Sequence, residues 1–220
     1  EPNLGREWGG FAPDPVRYVE LLRVCYEGVK TADPEALVIS AGLAPTGTGL
    51  PEAIPDTDYL IQMYEAGAAS YFDVLGLNAP GYKAPPEVSP EEAASTEVYG
   101  NQRFFCFRHV EDMRDIMVAH GDGDKQVAIL EMGWTVDPRP ESPYHWHAVT
   151  PEQKADYLVR AFDYAEEHWR PWIGLMTVLS IADPRWEPDN EQYWWAVTDP
   201  AWPETSVRPA YEALRAMGKR

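Results

Sequence analysis

The strongest chemical signal in the sequence is a glutamate that follows an apolar run. Glu131 stands in the segment ILEMGW at residues 129–134, directly after residues 126–130 (QVAIL), which predict a buried strand. A carboxylate at the carboxyl end of a parallel strand lies where the catalytic groups of α/β barrels are found. Glu131 is therefore a candidate catalytic carboxylate. The alternative interpretation is a structural carboxylate paired with an arginine.

A second carboxylate stands at the first residue. Glu1-Pro2-Asn3 precedes Gly5, Trp8 and a glycine pair, and a helix pattern follows. This order is expected of a loop that joins a strand to a helix. Glu1 is therefore the second candidate catalytic carboxylate.

The elements that must position these groups alternate between helix and strand, which predicts βα units and a parallel sheet. Asp14-Pro15 predicts a helix start, and residues 150–153 (TPEQ) predict a capping box with proline at the first helical position. Strands are expected at residues 36–41, 71–77, 126–130 and 173–181, and helices at residues 14–32, 57–66, 104–121, 150–169 and 206–217.

Loop lengths favour a barrel over an open sheet. The long loops, at residues 79–100 and 137–149, follow predicted strands, whereas the connections from helix to strand are short. That asymmetry is typical of a (β/α)8 TIM barrel, whose working face lies at the strand carboxyl ends. A doubly wound sheet is the alternative, but it would normally carry a glycine-rich phosphate loop, and the sequence has none.

The charge composition indicates which kinds of molecule the protein binds. The chain has 36 acidic and 18 basic side chains, for a formal net charge of −18. Such a surface repels nucleic acids and anionic membranes, and no apolar run reaches the roughly 18 residues of a membrane span. A neutral ligand is the expected partner, although the acidity is also consistent with solubility alone.

The sequence is rich in aromatic residues and carries two isolated candidates for metal binding. Nine Trp and twelve Tyr are many for this length, and their flat faces can stack on sugar rings or fill a core. His145 and His147 lack a third ligand of obvious spacing, and Asp183 and Asp189 are typical solvated loop carboxylates, so neither metal nor cofactor is expected. Several aromatic residues stand in loop-like stretches, which favours ligand contact: Trp8, Tyr82, Trp134, Trp146, Trp186 and Trp202.

These motifs resemble those of clan A glycoside hydrolases, especially the cellulase-like families 5 and 39. Such enzymes carry an Asn-Glu-Pro motif after strand four and a Thr-Glu-Phe-Gly-like motif after strand seven. Residues 1–3 (EPN) match the first motif without its leading Asn. Residues 130–133 (LEMG) match the second, with Leu and Met where Thr and Phe are common. Residues 208–214 (RPAYEAL) resemble the helix that closes many such barrels.

The resemblance implies a retaining β-glycosidase, with Glu131 as nucleophile and Glu1 as acid/base. It implies that the chain is the C-terminal half of a barrel, residues 1–220 carrying strands five to eight, with strands one to four upstream. Retaining chemistry requires carboxyl groups about 5–5.5 Å apart. The open sheet edges of a half-barrel lead us to expect aggregation or dimerisation of the isolated chain. Secretion or display at the cell surface is the location we favour.

The resemblance also implies contacts with a carbohydrate. Relatives often place a His and a Tyr after strand six, where this chain has Asn78 and Tyr82, and a Trp at the end of strand eight, where it has Leu179-Ser180. The candidate substrate-binding residues are Asn3, Trp8, Asn78, Tyr82, Trp134, His145, Trp146 and Trp186. The departures from the family pattern keep open an inactive, carbohydrate-binding barrel, and a metal-dependent barrel hydrolase with His145 and His147 is a third hypothesis.

Overall fold

The structure is a computed structural model that describes residues 1–203 and 207–218. Its α-helices are α1 (Pro15–Ala32), α2 (Asp56–Glu65), α3 (Pro90–Ser95), α4 (Val110–Ala119), α5 (Pro151–His168), α6 (Glu191–Trp195) and α7 (Pro209–Ala216). Its strands are β1 (Val74–Pro80), β2 (Gln126–Gly133) and β3 (Ile173–Val178). Short 3-10 helices span Gly5–Trp8, Ala68–Ser70, Glu97–Tyr99, Phe107–His109 and His145–His147.

The three strands form one parallel sheet in the order β1-β2-β3. Helices α3 and α4 connect β1 to β2, and α5 connects β2 to β3. Parallel strands need such crossovers, because a tight turn can join only antiparallel neighbours. The sheet confirms the expected α/β fold class and is consistent with part of a barrel.

The chain forms two compact units. Unit 1 comprises Glu1–Ala79, His109–Leu130 and Arg170–Met176, and unit 2 comprises Pro80–Arg108, Glu131–Trp169 and Thr177–Arg220. Each strand begins in unit 1 and ends in unit 2. The last residue of β1, the last three of β2 and the last two of β3 therefore belong to unit 2, together with the loops that follow them, whereas Asn78 of β1 belongs to unit 1.

The prediction of a continuous strand at residues 36–41 is wrong. This segment joins β1 only through isolated parallel bridges at Ile39 and Leu43. Between the two bridges, the Ser40 hydroxyl rather than a backbone carbonyl accepts the hydrogen bond of the Gly76 amide, at 2.9 Å. The segment thus lies beside its expected neighbour, but a side chain interrupts the backbone ladder.

The boundaries of the other strands also differ from expectation. The ladder of β2 continues to Gly133, because Met132 and Gly133 accept backbone hydrogen bonds from Leu179 and Gly81 at 2.9 Å each. Glu131 therefore lies within the strand, not after its end. β1 begins three residues later than predicted, and β3 ends three residues earlier.

The starts of α1 and α5 follow the sequence signals closely, whereas α4 begins at Val110, six residues later than predicted. Asp14 caps α1 by accepting from the Arg17 amide at 3.0 Å, and Thr150 and Gln153 form the predicted capping box of α5. Helices α3 and α6 are additions inside stretches expected to be loops. The last helix begins at Pro209, and its predicted first residue, Ser206, lies outside the described residues. Among the described helices, none combines the length and the apolar character that crossing a membrane requires.

A buried histidine ties two helices of unit 1 together. His109 precedes α4, and its Nε2 lies 2.8 Å from Asp56 of α2, while its Nδ1 lies 3.2 Å from Asp112 of α4. Burial alone lowers the pKa of His109. The hydrogen bonds and charges of the two carboxylates outweigh that effect and raise the pKa to about 9. The imidazole is therefore a cation at neutral pH, held between two anions.

This arrangement predicts a pH-dependent stability. The pKa of His109 is higher in the folded than in the unfolded chain. Its contribution to the free energy of unfolding is therefore complete below about pH 6.5 and is lost as pH rises through about 9. We expect the free energy of unfolding to fall by on the order of 2 to 3 kcal/mol across that interval. Denaturant titrations at pH 6 and pH 9.5 measure the fall. The variant His109→Gln should lose it, and an equal fall in both proteins would contradict the prediction.

Candidate active site

Glu1 is held by two donors of unit 1. One carboxylate oxygen, Oε2, pairs with the guanidinium of Arg6, which lies in the adjoining 3-10 helix. The other, Oε1, accepts a hydrogen bond from the Asn78 amide at 3.1 Å. Asn78 is buried near the carboxyl end of β1, whereas the Arg6 side chain is mostly exposed. The first residue is thus fixed at the carboxyl end of a strand.

Asn3 was expected to contact the substrate, but the structure places it elsewhere. Its side chain is fully buried in unit 1. The amide nitrogen donates to the carbonyls of Ala44 and Ile54, and the amide oxygen accepts from the Ala44 backbone at 3.0 Å. Backbone groups therefore engage both polar atoms of the Asn3 side chain. The residue fastens the segment that follows Glu1.

Asn78 was also expected to contact a sugar, but its side chain contacts Glu1 and Gly42. Its amide nitrogen donates to Glu1, and its side chain packs against Gly42 so closely that a Cβ there would lie 2.3 Å from the amide oxygen. Within the described residues, that oxygen is buried and has no hydrogen-bond partner. Asn78 therefore contacts the predicted acid/base directly.

Trp8 lines an open groove of unit 1. The ring is half-buried, and its Nε1 donates to the Pro2 carbonyl at 2.7 Å. Phe11, Leu21 and Val24 contribute apolar walls to the same groove. Its role as a platform for a sugar stays a prediction.

Glu131 is an exposed side chain on the middle strand, at the end that belongs to unit 2. The next residue, Met132, is buried, and the strand is hydrogen-bonded on both sides, to Gly81 and to Leu179. A functional group on a strand is held more precisely than one on a loop. Glu131 is thus an accessible carboxylate on a fixed backbone.

Trp134, expected to be a platform for a sugar, belongs to the core of unit 2 instead. The ring is fully buried, and its Nε1 donates to the Ala84 carbonyl at 2.9 Å. It packs against Phe107 and Tyr157, and a Cβ at Gly81 would lie 1.9 Å from the indole. A ring without accessible surface has no face for a sugar, which corrects the expectation.

Four aromatic rings surround Tyr82 in unit 2. Tyr82 follows β1 with a positive φ of 50°, a conformation that non-glycine residues adopt rarely and that concentrates at functional sites. Its ring lies 4.7 Å from Phe105 and 6.3 Å from Trp146, nearly parallel to the latter. The Tyr82 cluster consists of Tyr82, Phe104, Phe105, Trp146 and His147. Trp146 keeps 41% of its surface exposed, so the cluster presents an open aromatic face.

The two histidines of this loop lie in different environments. His147, a member of the Tyr82 cluster, is buried, and burial lowers its pKa to about 4, so its ring is neutral at physiological pH. His145 is exposed, with its Nδ1 3.2 Å from the Asp137 carbonyl. No group of three or more His, Cys, Asp or Glu side chains in residues 1–203 and 207–218 is arranged to hold a metal ion.

The loop after β3 carries Trp186 and is anchored by a buried lysine. Trp186 is half-buried, and in the same loop Asp183 pairs with Arg185, which lowers the pKa of that carboxyl to about 2. Lys154 of α5 donates to three successive carbonyls at the end of α6, those of residues 194–196. Burial lowers the pKa of Lys154 well below its ordinary value. The anchor was not expected from the sequence.

Three further side chains of the candidate site, those of Arg6, Phe104 and Phe105, were not predicted from the sequence. Arg6 stands five residues from Glu1, and this short spacing was a usable signal. Phe104 and Phe105 stand about twenty residues beyond Tyr82, in a stretch expected to begin a helix, and carried no such signal. Their contribution depends on how the long loop folds back.

Comparison with known proteins gives structural neighbours only. No family model matches the chain, and no curated protein does. A family 39 glycoside hydrolase from the gut symbiont Bacteroides cellulosilyticus WH2 aligns with 92% of this chain at a TM-score of 0.56 and 21% identity. An active-site mutant of Rhizomucor miehei β-1,3-glucanosyltransferase, in complex with laminaritriose, aligns with 90% at a TM-score of 0.52 and 16% identity.

The chain spans 38% and 59% of those two proteins, respectively. The neighbours are glycoside hydrolases with TIM-barrel folds, and the resemblance seen in the motifs of the sequence is thereby confirmed for the fold. The assignment of the strands as five to eight stays a prediction.

Proposed function

We propose that residues 1–220 are part of the catalytic domain of a retaining glycoside hydrolase that cleaves β-linked O-glycosidic bonds. Glu131 is the nucleophile and Glu1 is the acid/base. The observation that carries the proposal is the position of Glu131, an accessible carboxylate at the carboxyl end of the middle strand of a parallel sheet. In barrel enzymes, that end of the strands carries the chemistry.

The proposed reaction has two displacements. In the first, a Glu131 oxygen attacks the anomeric carbon, the bond to the leaving oxygen breaks, and Glu1 transfers its proton to that oxygen. In the second, water attacks the same carbon, Glu1 takes a proton from the water, and Glu131 is released as a carboxylate. Two inversions give net retention. Neither metal nor redox cofactor is needed for these steps.

The Tyr82 cluster supports a carbohydrate as the substrate. Sugar rings present apolar C–H faces that stack on aromatic rings, and the partly exposed Trp146 offers such a face in the same unit as Glu131. Tyr82, His145, Trp146, Trp186 and, in unit 1, Trp8 remain proposed substrate contacts. The proposed substrate is a polysaccharide or a glycoside, and polysaccharide degradation is the proposed role.

An inactive, carbohydrate-binding barrel is the second candidate. Leu179-Ser180 stands where relatives end strand eight with a sugar-stacking Trp, and Asn78 contacts Glu1 rather than being left free for a sugar. Such a protein would bind oligosaccharides through the Tyr82 cluster without turning them over. The presence of both carboxylates favours the enzyme.

Product stereochemistry tests the proposal. The intact protein is incubated with aryl β-glycosides and with laminaritriose, the ligand of one structural neighbour. Proton NMR then follows the anomeric signal of the first sugar released. We expect the β-anomer to appear first and to convert slowly to the equilibrium mixture. Initial formation of the α-anomer would contradict a retaining mechanism, and binding without hydrolysis would favour the inactive barrel.

A further inference from the structure

We propose that Asn78 is a positioning residue that orients Glu1 for proton transfer. The inference rests on the proposed function, because it assigns a task to a residue of the same site. Asn78 reaches Glu1 across 77 positions of sequence, and its amide nitrogen lies 3.1 Å from the carboxylate Oε1. The family resemblance placed this residue on the sugar, whereas the contact places it on the proposed acid/base.

The chemistry of the two groups fixes the direction of this hydrogen bond. The Asn78 amide nitrogen donates to Oε1, an oxygen that accepts both when Glu1 is a carboxylate and when it carries its proton on Oε2, and the amide oxygen then faces away. That oxygen packs against Gly42, a position without a Cβ, in space that any side chain there would fill. Asn78 is also buried and belongs to β1, so neither its backbone nor its amide can readily move.

Arg6 is the other donor to Glu1 and is less suited to orient it. The Arg6 side chain is mostly exposed, lies in a short 3-10 helix, and divides its guanidinium between Glu1 and Glu7. Exposed ion pairs of this kind contribute little to order, because solvent screens them and long side chains keep their freedom. Of the two contacts that Glu1 makes, the hydrogen bond from the Asn78 amide is therefore the rigid one. Asn78 sets the carboxyl plane of Glu1, and Oε2 is the oxygen left to face mobile partners.

The leaving group of the substrate separates this role from a structural one. A dinitrophenyl β-glycoside departs with little protonic assistance, whereas a phenyl β-glycoside needs the acid. A residue that acts through Glu1 therefore changes the kcat/KM for the phenyl substrate more than that for the dinitrophenyl substrate. A residue that binds the sugar, or only holds the fold, changes both alike.

The experiment compares Asn78→Ala and the isosteric Asn78→Asp with the unaltered intact protein on both substrates. We expect kcat/KM to fall about tenfold or more for the phenyl glycoside and less than about threefold for the dinitrophenyl glycoside, the size of losing one charge-assisted hydrogen bond. Ser40→Ala is the matched control. Ser40 is buried on the segment that borders β1 and bonds Gly76 without contacting Glu1. Its ratio of the two rates should not change.

The outcomes separate the two proposals. Equal losses on both substrates in the Asn78 variants overturn the positioning role, provided that Glu1→Ala itself discriminates between the substrates. If Glu1→Ala fails to discriminate, or the intact protein hydrolyses neither glycoside, the proposed function fails and this inference fails with it. Selective loss on the phenyl glycoside in both Asn78 variants, with an unchanged ratio in Ser40→Ala, supports the assignment.

Discussion

Replacing Glu131 by alanine in the intact protein should lower kcat/KM on aryl β-glycosides by about 10³- to 10⁵-fold, the loss expected when a covalent route is removed. The physical reason is that no other group then attacks the anomeric carbon. Sodium azide should restore part of the turnover, because the small anion can occupy the space that the side chain leaves. Initial rates with and without azide measure both effects.

The stereochemistry of the azide product identifies the role of Glu131. Azide that replaces the nucleophile attacks from the nucleophile's side in a single displacement, so a β-glycoside gives the α-glycosyl azide. The matched control is Glu141→Ala, which removes another exposed glutamate from the loop that follows β2 and should leave the rate unchanged. Activity near that of the unaltered protein in Glu131→Ala would show that the assignment of the nucleophile is wrong.

Local sequence patterns predicted the elements that depend on neighbouring residues. The capping box of Thr150 and Gln153 and the Asp14 cap are satisfied within three residues, so their geometry is fixed wherever the helix lies. The apolar run before Glu131 predicted a strand at the right place for the same reason. Its true end, at Gly133, depends on pairing with Gly81 and Leu179, which are distant in sequence.

Long-range contacts explain the expectations that the structure corrected. Asn3 belongs to a motif that predicts a site, but its side chain is committed to the backbone of residues 44 and 54. Trp134 stands in a loop-like stretch, but glycine at position 81 opens the space that buries its ring. The letters of a motif carry no information about side-chain direction, which is set by residues that the motif does not contain.

Replacing Glu1 by alanine should give a loss of activity that depends on the leaving group. With a phenyl β-glycoside, we expect kcat/KM to fall by about 10²- to 10⁴-fold, the contribution of a positioned general acid. With a dinitrophenyl glycoside, kcat/KM should change little, because that leaving group departs without a proton. The values of kcat and KM should both fall for the dinitrophenyl substrate, since the glycosyl-enzyme accumulates when no base activates water.

The azide product and a neighbouring glutamate complete the assignment of Glu1. In Glu1→Ala, azide intercepts the glycosyl-enzyme in a second displacement, so the product should be the β-glycosyl azide, opposite to that of Glu131→Ala. Glu7→Ala is the matched control. Glu7 lies in the adjoining 3-10 helix and, like Glu1, pairs with Arg6, at 3.1 Å. If Glu7→Ala reproduces the leaving-group dependence, the effect comes from the charge of Arg6 rather than from an acid/base at position 1. Selectivity confined to Glu1→Ala, with retained stereochemistry of the azide, is the result that a general acid and base at this position requires.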